Sequence, residues 1–238
     1  SIERIWPPAL SVVTSGQRPG WLRDHERVTV VDHRDILPRD ALSTFNSHAI
    51  ERAMRASIAA HDGQLRKGGQ GVPYIVHPMH VALMLARFDL EEHVVVAGLL
   101  HDVVEDCDDW TLERVENEFG ARAAGIVRQL TEDKSKPWEE RKRAAVEHVP
   151  RMSPEAASVK AADQLHNLHG LFAELGAAAD PEDVWRRFKG GRERTLQHAR
   201  ELAEALSARV DPRIGRALRA AVDALVARAA GEPEAARP

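Results

Sequence analysis

At 238 residues with 43% hydrophobic content, the chain is long enough to bury a full core in one large domain, or in a domain plus an extension. A net charge of −4 argues against a protein that coats nucleic acid, although clusters of Arg and Lys can still serve one anionic ligand. The single cysteine, Cys107, excludes an internal disulfide framework and a thiolate metal cage, and suits a reducing cytoplasm. No apolar stretch reaches the roughly 18 residues of a bilayer span, and the N-terminus lacks the apolar core of a signal peptide, so a soluble protein without a membrane partner is expected.

From Leu42 onward the sequence reads as almost wholly helical. Ala49, Ile50, Ala53, Met54, Ser57 and Ile58 recur at helical spacing, and Gly63 ends that segment. A glycine-rich loop follows, RKGGQGVPYIVHP from Arg66 to Pro78, in which Pro78 suits the first turn of a helix over Met79–Phe88. The apolar run beginning at Val94 predicts a buried helix over residues 91–106, with further helices at 111–119 and 121–132 separated by Gly120. Ser153-Pro154-Glu155 offers a cap, a proline and an acid for a long helix reaching about Leu175, and Asp180-Pro181-Glu182-Asp183 opens another. Gly190-Gly191 breaks or bends that helix ahead of Arg192–Leu206. Asp211-Pro212 starts the last one, with Ile214, Leu218, Val222, Leu225 and Val226 on one apolar stripe. Residues 1–41, with Pro7, Pro8, Pro19, Pro38 and one β-prone run over Val28–Val31, read as an irregular extension beside a helical domain over 42–230, and 231–238 as a disordered tail.

Four residues stand out against this frame: His77, His101, Asp102 and Asp163. Two imidazoles and two carboxylates form a mixed nitrogen and oxygen set that binds a divalent transition ion and leaves positions open for water and substrate, as hydrolysis requires. LLHDVVED, Leu99–Asp106, carries the central pair. In a helix Glu105 lies one turn beyond His101 and Asp102, and Asp106 one turn beyond Asp102, so one face holds four polar groups while Leu99, Val103 and Val104 pack elsewhere. Unpaired charge inside a run as apolar as VVVAGLLHDVV costs on the order of several kcal/mol, and a bound cation removes that penalty. In the long helix Lys160, Asp163 and Asn167 share one stripe, and Leu165, Leu168 and Phe172 share another.

This order of ligands, H…HD…D on an all-α scaffold, resembles the HD phosphohydrolase superfamily and implies an HD-domain helical bundle. HDGQLRKGGQGVPYIVHP, HDVVED and KAADQLHNL, spread over residues 61–171, are similar to the hydrolase domain of RelA/SpoT homologues, which degrade the alarmone ppGpp. TEDKSKPWEERKR, Thr131–Arg143, and the long loop between Arg66 and His77 resemble the stand-alone small alarmone hydrolases of the metazoan SpoT-homologue type, with no synthetase domain expected to follow. The resemblance implies one Mn²⁺ per chain on His77, His101, Asp102 and Asp163. It also implies an acidic pair, Glu105 and Asp106, that orients and deprotonates the attacking water. Arg66 and Lys67 correspond to a basic loop on the nucleotide, Arg66 lying against the base, Asn167 to a nucleoside pocket, and Lys134 and Lys142 to basic positions near the phosphates. The activity implied is release of pyrophosphate from the 3′ position of a small nucleotide, ppGpp or its adenine counterpart ppApp.

The chain also departs from that pattern. Ala161 and Gln164 flank the third motif where an apolar Leu and a basic residue are usual, and His169 stands where an Arg is common. Thr195 to His198 occupy the region that usually supplies an aromatic side chain near the base, and Tyr74 is the only tyrosine. A less basic site with modest base discrimination is the expectation. Two readings of other kinds accompany it, a broader nucleotide phosphatase acting on the 2′-phosphate of NADPH, and a catalytically silent alarmone sensor.

Overall fold

The computed structural model of the protein describes residues 47–68 and 71–231. The extension expected over residues 1–41 and the tail beyond Gly231 lie outside them. Among the described residues the secondary structure is helical apart from one isolated antiparallel bridge, Leu65 to Pro73, as an all-α reading requires. None of these helices is long and apolar enough to cross a membrane.

The helices run in chain order as α1 (His48–Ala60), α2 (Val76–Arg87), α3 (Glu92–Leu100), α4 (Val103–Asp106), α5 (Leu112–Phe119), α6 (Ala121–Leu130), α7 (Trp138–His148), α8 (Pro154–Ala177), α9 (Pro181–Trp185), α10 (Gly191–Ser207) and α11 (Pro212–Ala229). Helix α3 is apolar all round, with every residue from Val94 to Leu100 buried. Such a helix must be central, and α1, α2, α6 and α8 pack around it. Helix α8 continues into a second layer formed with α10 and α11, where Leu202, Leu206, Ile214, Leu218 and Leu225 are at most 1% exposed. Each such side chain contributes about 1.5–3 kcal/mol on burial. The starts of the later helices follow the sequence signals. Ser153 accepts from the amide of Ala156 at 3.1 Å and Asp211 from that of Arg213 at 2.7 Å, each with a proline next in line. Gly120, with φ of 86°, turns α5 into α6.

Four expectations need correction. The helix over 91–106 is not continuous: it stops at Leu100, and His101 and Asp102 form the junction with the short α4. The carbonyl of Gly98, which a continuing helix would have bonded, sits 2.8 Å from Nδ1 of His101. Helix α2 begins at Val76, three residues earlier than expected, so His77 lies in its first turn. Helix α7 was not foreseen, because WEERKRAAVEH carries no apolar stripe and buries no residue. It is held from outside, partly by the Arg194 to Glu139 ion pair at 2.7 Å. Helix α9 ends at Trp185, well before Gly190.

One close approach fixes the height of the junction. A Cβ on Gly98 would meet Cδ1 of the fully buried Leu85 at 2.5 Å, so only glycine lets α3 press on α2 there. Gly98→Ala is expected to lower stability by roughly 1–3 kcal/mol through overpacking, despite alanine's better helix propensity. A urea denaturation curve checks it, the midpoint falling at an unchanged slope.

Candidate active site

The loop after α1, the start of α2, the α3–α4 junction and the middle of α8 converge on a cavity of about 310 Å³. Its wall includes every residue expected from the sequence to bind metal or substrate or to act on water: His77, His101, Asp102, Asp163, Glu105, Asp106, Arg66, Lys67, Asn167, Lys134 and Lys142. A larger cavity of about 930 Å³, lined by Arg52, Trp110, Arg114 and Phe119 among others, shares only Asp106 with it. Size does not locate the chemistry; the converging electron-pair donors do.

At the floor, Nε2 of His77 and Nε2 of His101 lie 3.2 Å apart. Asp163 Oδ1 is 3.3 Å from the first and 4.0 Å from the second, while Asp102 Oδ2 is 3.5 Å and 3.1 Å from them. His77, His101 and Asp163 are buried, and their ligand atoms all fall within 4.8 Å of one another. Asp102 is half-buried, and its Oδ2 also accepts from the Tyr74 hydroxyl at 2.5 Å. The donor set fits a divalent cation. His101 gives its Nδ1 proton to Gly98, which turns the lone pair of Nε2 inward, and nothing but acids and another imidazole faces it. The same crowding is written in the protonation equilibria. Burial opposes charge on His101, yet the carboxylates of Asp102 and Asp163 outweigh it and push the imidazole up to about 9. Burial raises Asp163 and Asp102, but Lys160 and His77 hold the former, and His101 the latter, below the usual carboxylate range.

Around this floor the polar groups bind one another in chains. Lys160 Nζ donates to Asp163 Oδ2 at 3.1 Å, and Asn167 Nδ2 to Oδ1 at 2.6 Å. Arg66 in turn donates to Asn167 Oδ1 at 2.8 Å, so the Asn167 amide is engaged at both ends. The Arg66 guanidinium stands 5.7 Å from the centre of the Tyr74 ring. Two backbone bonds, Arg66 N to Val72 O at 2.9 Å and Tyr74 N to Gln64 O at 2.8 Å, fasten the feet of this loop.

The acidic pair sits on α4 under the opposite wall. Burial raises the Glu105 carboxyl, an effect partly offset by a bond from the amide of Glu132 at 2.6 Å. Lys134 donates to the Glu105 carbonyl at 2.6 Å and also pairs with the Asp106 carboxylate. Lys160 lines the wall from the stripe it shares with Asp163 and Asn167; Tyr74 and Arg141 are site residues that pattern reading missed, and so is Glu132. It binds Arg141 and Lys142 at 3.1 Å each and so carries the unforeseen α7 to the cavity. The acidic pair Glu132-Asp133 ahead of the basic run KSKPWEERKR was the available signal. The departures at Ala161, Gln164 and His169 do not line the cavity, and neither do Thr195 and His198. Four lysines and two arginines still face it: Lys67, Lys134, Lys142, Lys160, Arg66 and Arg141.

Comparison with known proteins is consistent across sequence and structure. Residues 53–193 match the HD domain family. The chain is similar to guanosine-3′,5′-bis(diphosphate) 3′-pyrophosphohydrolase MESH1 of Homo sapiens, 46% identical over 129 residues that cover 52% of this chain and 72% of the relative. It is 48% identical over 115 residues to the protein of the same name from Danio rerio, covering 47% of this chain and 62%, less than two thirds, of that relative. Among solved structures it is similar to a metazoan ortholog of SpoT that hydrolyzes ppGpp and plays a role in starvation responses, with TM-score 0.63 and 30% identity over 74% of this chain and 95% of the other.

Because the His101 imidazole is pushed up to about 9 before any ion enters, its proton must leave when the nitrogen coordinates. Ion affinity is therefore expected to rise with pH, by up to about tenfold per unit for one released proton, and to level off above about 9. Calorimetric titration with a divalent ion in buffers of different ionisation enthalpy reads the proton release directly. In Asp163→Asn or His101→Ala the stable occupancy should be lost, as elemental analysis of the purified variants would report.

Proposed function

The chain belongs to the HD domain family, and from that premise we propose that it is a metal-dependent phosphohydrolase releasing pyrophosphate from the 3′ position of ppGpp or ppApp. The observation that carries this reading is the presence, in one cavity, of a buried His/His/Asp cluster, an adjacent acidic pair and a rim of six cations. Its similarity to hydrolases named for ppGpp supports the same substrate class. His77, His101, Asp102 and Asp163 would hold one ion per chain, for which we propose Mn²⁺. When bound, the ion supplies positive charge beside the reacting phosphate and makes water a better acid near neutral pH.

The remaining chemistry falls to the chain's own side chains. A phosphate ester is anionic and repels a nucleophile, so the rim must neutralise charge before attack. Lys134 and Lys142 serve the phosphates in this reading, and Arg66 and Lys67 the nucleotide. Glu105 or Asp106 takes a proton from the attacking water. Oxygen joins the terminal diphosphate, the ester bond to the 3′ oxygen breaks, and that oxygen leaves with a proton as the nucleotide's hydroxyl. Tyr74 and Lys160 hold Asp102 and Asp163 in place meanwhile. The substrate is a small free nucleotide, and the single Cys107 suits work in a reducing cytoplasm.

The acidic pair separates binding from chemistry. Glu105→Ala combined with Asp106→Ala should retain the ion and bind nucleotide while turnover falls by roughly 10² or more, the scale of a general base. Turnover near wild type would end this assignment, and an inert wild-type protein that binds ppGpp would favour the sensor instead.

Base preference follows from how few edge-reading groups are free. Arg66 can stack on any purine, and the Asn167 amide is already spent on Arg66 and Asp163. Specificity constants for ppGpp and ppApp should lie within about two orders of magnitude of each other, since larger ratios need hydrogen bonds dedicated to one base. Side-by-side product analysis with ppGpp, ppApp and NADPH measures this, and turnover of NADPH alone would replace the alarmone reading with the 2′-phosphatase.

A further inference from the structure

Behind the cavity, on α8, stands His166, which neither lines the wall nor belongs to the ligand set. Its Nδ1 is 2.8 Å from Nδ1 of His77, with the two rings tilted by 54°. The far nitrogen of His77, Nε2, points the opposite way, to His101 and Asp163. Two imidazole nitrogens make a hydrogen bond at that distance only if one carries a proton and the other a lone pair. Coordination decides between them. A ligating Nε2 must present its lone pair, so the His77 proton sits on Nδ1 and is donated to His166, whose own proton is then on Nε2.

We infer that His166 is a positioning residue: it is the acceptor that fixes the tautomer and ring angle of His77. The inference rests on the reading of His77 as a metal ligand. Ligating histidines usually give this second proton to a carboxylate, a carbonyl or water. His101 obeys that habit through Gly98, three residues back in its own helix. His77 does not copy it: the carbonyl three residues back, on Tyr74, accepts the His77 backbone amide at 2.9 Å, and the ring turns its Nδ1 to His166 instead. The partner thus comes from another helix, α8, one residue before Asn167. The same helix thus sets two donors at once, Asp163 directly and His77 through His166.

The test uses the full chain and Zn²⁺ or Mn²⁺ affinity measured by competition with a chelator. His166→Phe keeps a ring of similar volume but cannot accept, and should weaken the ion by about 10–100-fold. His166→Asn presents a neutral oxygen near the position of the lost Nδ1 and should restore affinity to near wild type. A purely packing role predicts the reverse order, Phe tolerated and Asn not, and that order or equal affinities for all three proteins would overturn the inference. Long-range ¹H–¹⁵N spectra of the Zn²⁺-loaded protein supply a second reading, with the proton expected on Nδ1 of His77 and Nε2 of His166; the opposite pair of tautomers would also overturn it. His77→Ala is the control for the underlying assignment. Undiminished affinity there would refute His77 as a ligand, whereas loss there with no effect at His166 would refute only the role of His166.

Discussion

Two imidazole nitrogens 3.2 Å apart, each within about 4 Å of a carboxylate oxygen of Asp102 and of Asp163, most of them out of reach of water, are the constraint around which this bundle is organised. Without a cation, such a set is tolerable only if protons are drawn in and every remaining lone pair has a donor. The structure answers with Lys160, Asn167 and Tyr74 on the two acids and with Gly98 and His166 on the two rings. The partners come from the loop before α2, from α3 and from α8, so the helices cannot slide past one another without unpairing something buried. The apolar α3 supplies the cohesion for this arrangement, and the polar cluster supplies its register.

Much of the site was legible because helical spacing and composition both point the same way. Lys160, Asp163 and Asn167 fall on one stripe of α8 as three- and four-residue steps predict, and the His-Asp pair inside VVVAGLLHDVV has no apolar explanation. What stayed hidden was of two physical kinds. The break at His101 arises from a side chain competing with the backbone for a carbonyl, which no periodicity encodes. Helix α7 arises from long-range ion pairs to Glu132 and Arg194, and a sequence that buries nothing offers no stripe to read. Tyr74 was noticed only as a rarity. Its meaning lies in a hydroxyl that reaches Asp102 from 28 positions away. Ala161, Gln164 and His169, which lie next to the third motif in sequence, do not line the cavity, so sequence proximity to a motif overstated their reach.

Charge around the cavity is less one-sided than a count of lysines suggests. Glu132 ties down Arg141 and Lys142, and Asp106 ties down Lys134, so the rim is a set of paired charges with acids interposed. Under the proposed function an incoming polyphosphate would replace those acids as partner rather than meet bare cations. Arg141 and Lys142 are already largely withdrawn from water beside Glu132, whereas Lys134 keeps half of its surface exposed.

The loop from Arg66 to Pro73 is stitched at its feet by two backbone bonds, while Arg66 and Tyr74 stand just at the stitches. Residues can be inserted, removed or exchanged between the stitches without moving the guanidinium or the phenol, because loop-closure entropy grows only slowly with length. Across evolution such a loop can change in length and composition while Arg66 and Tyr74 keep their places.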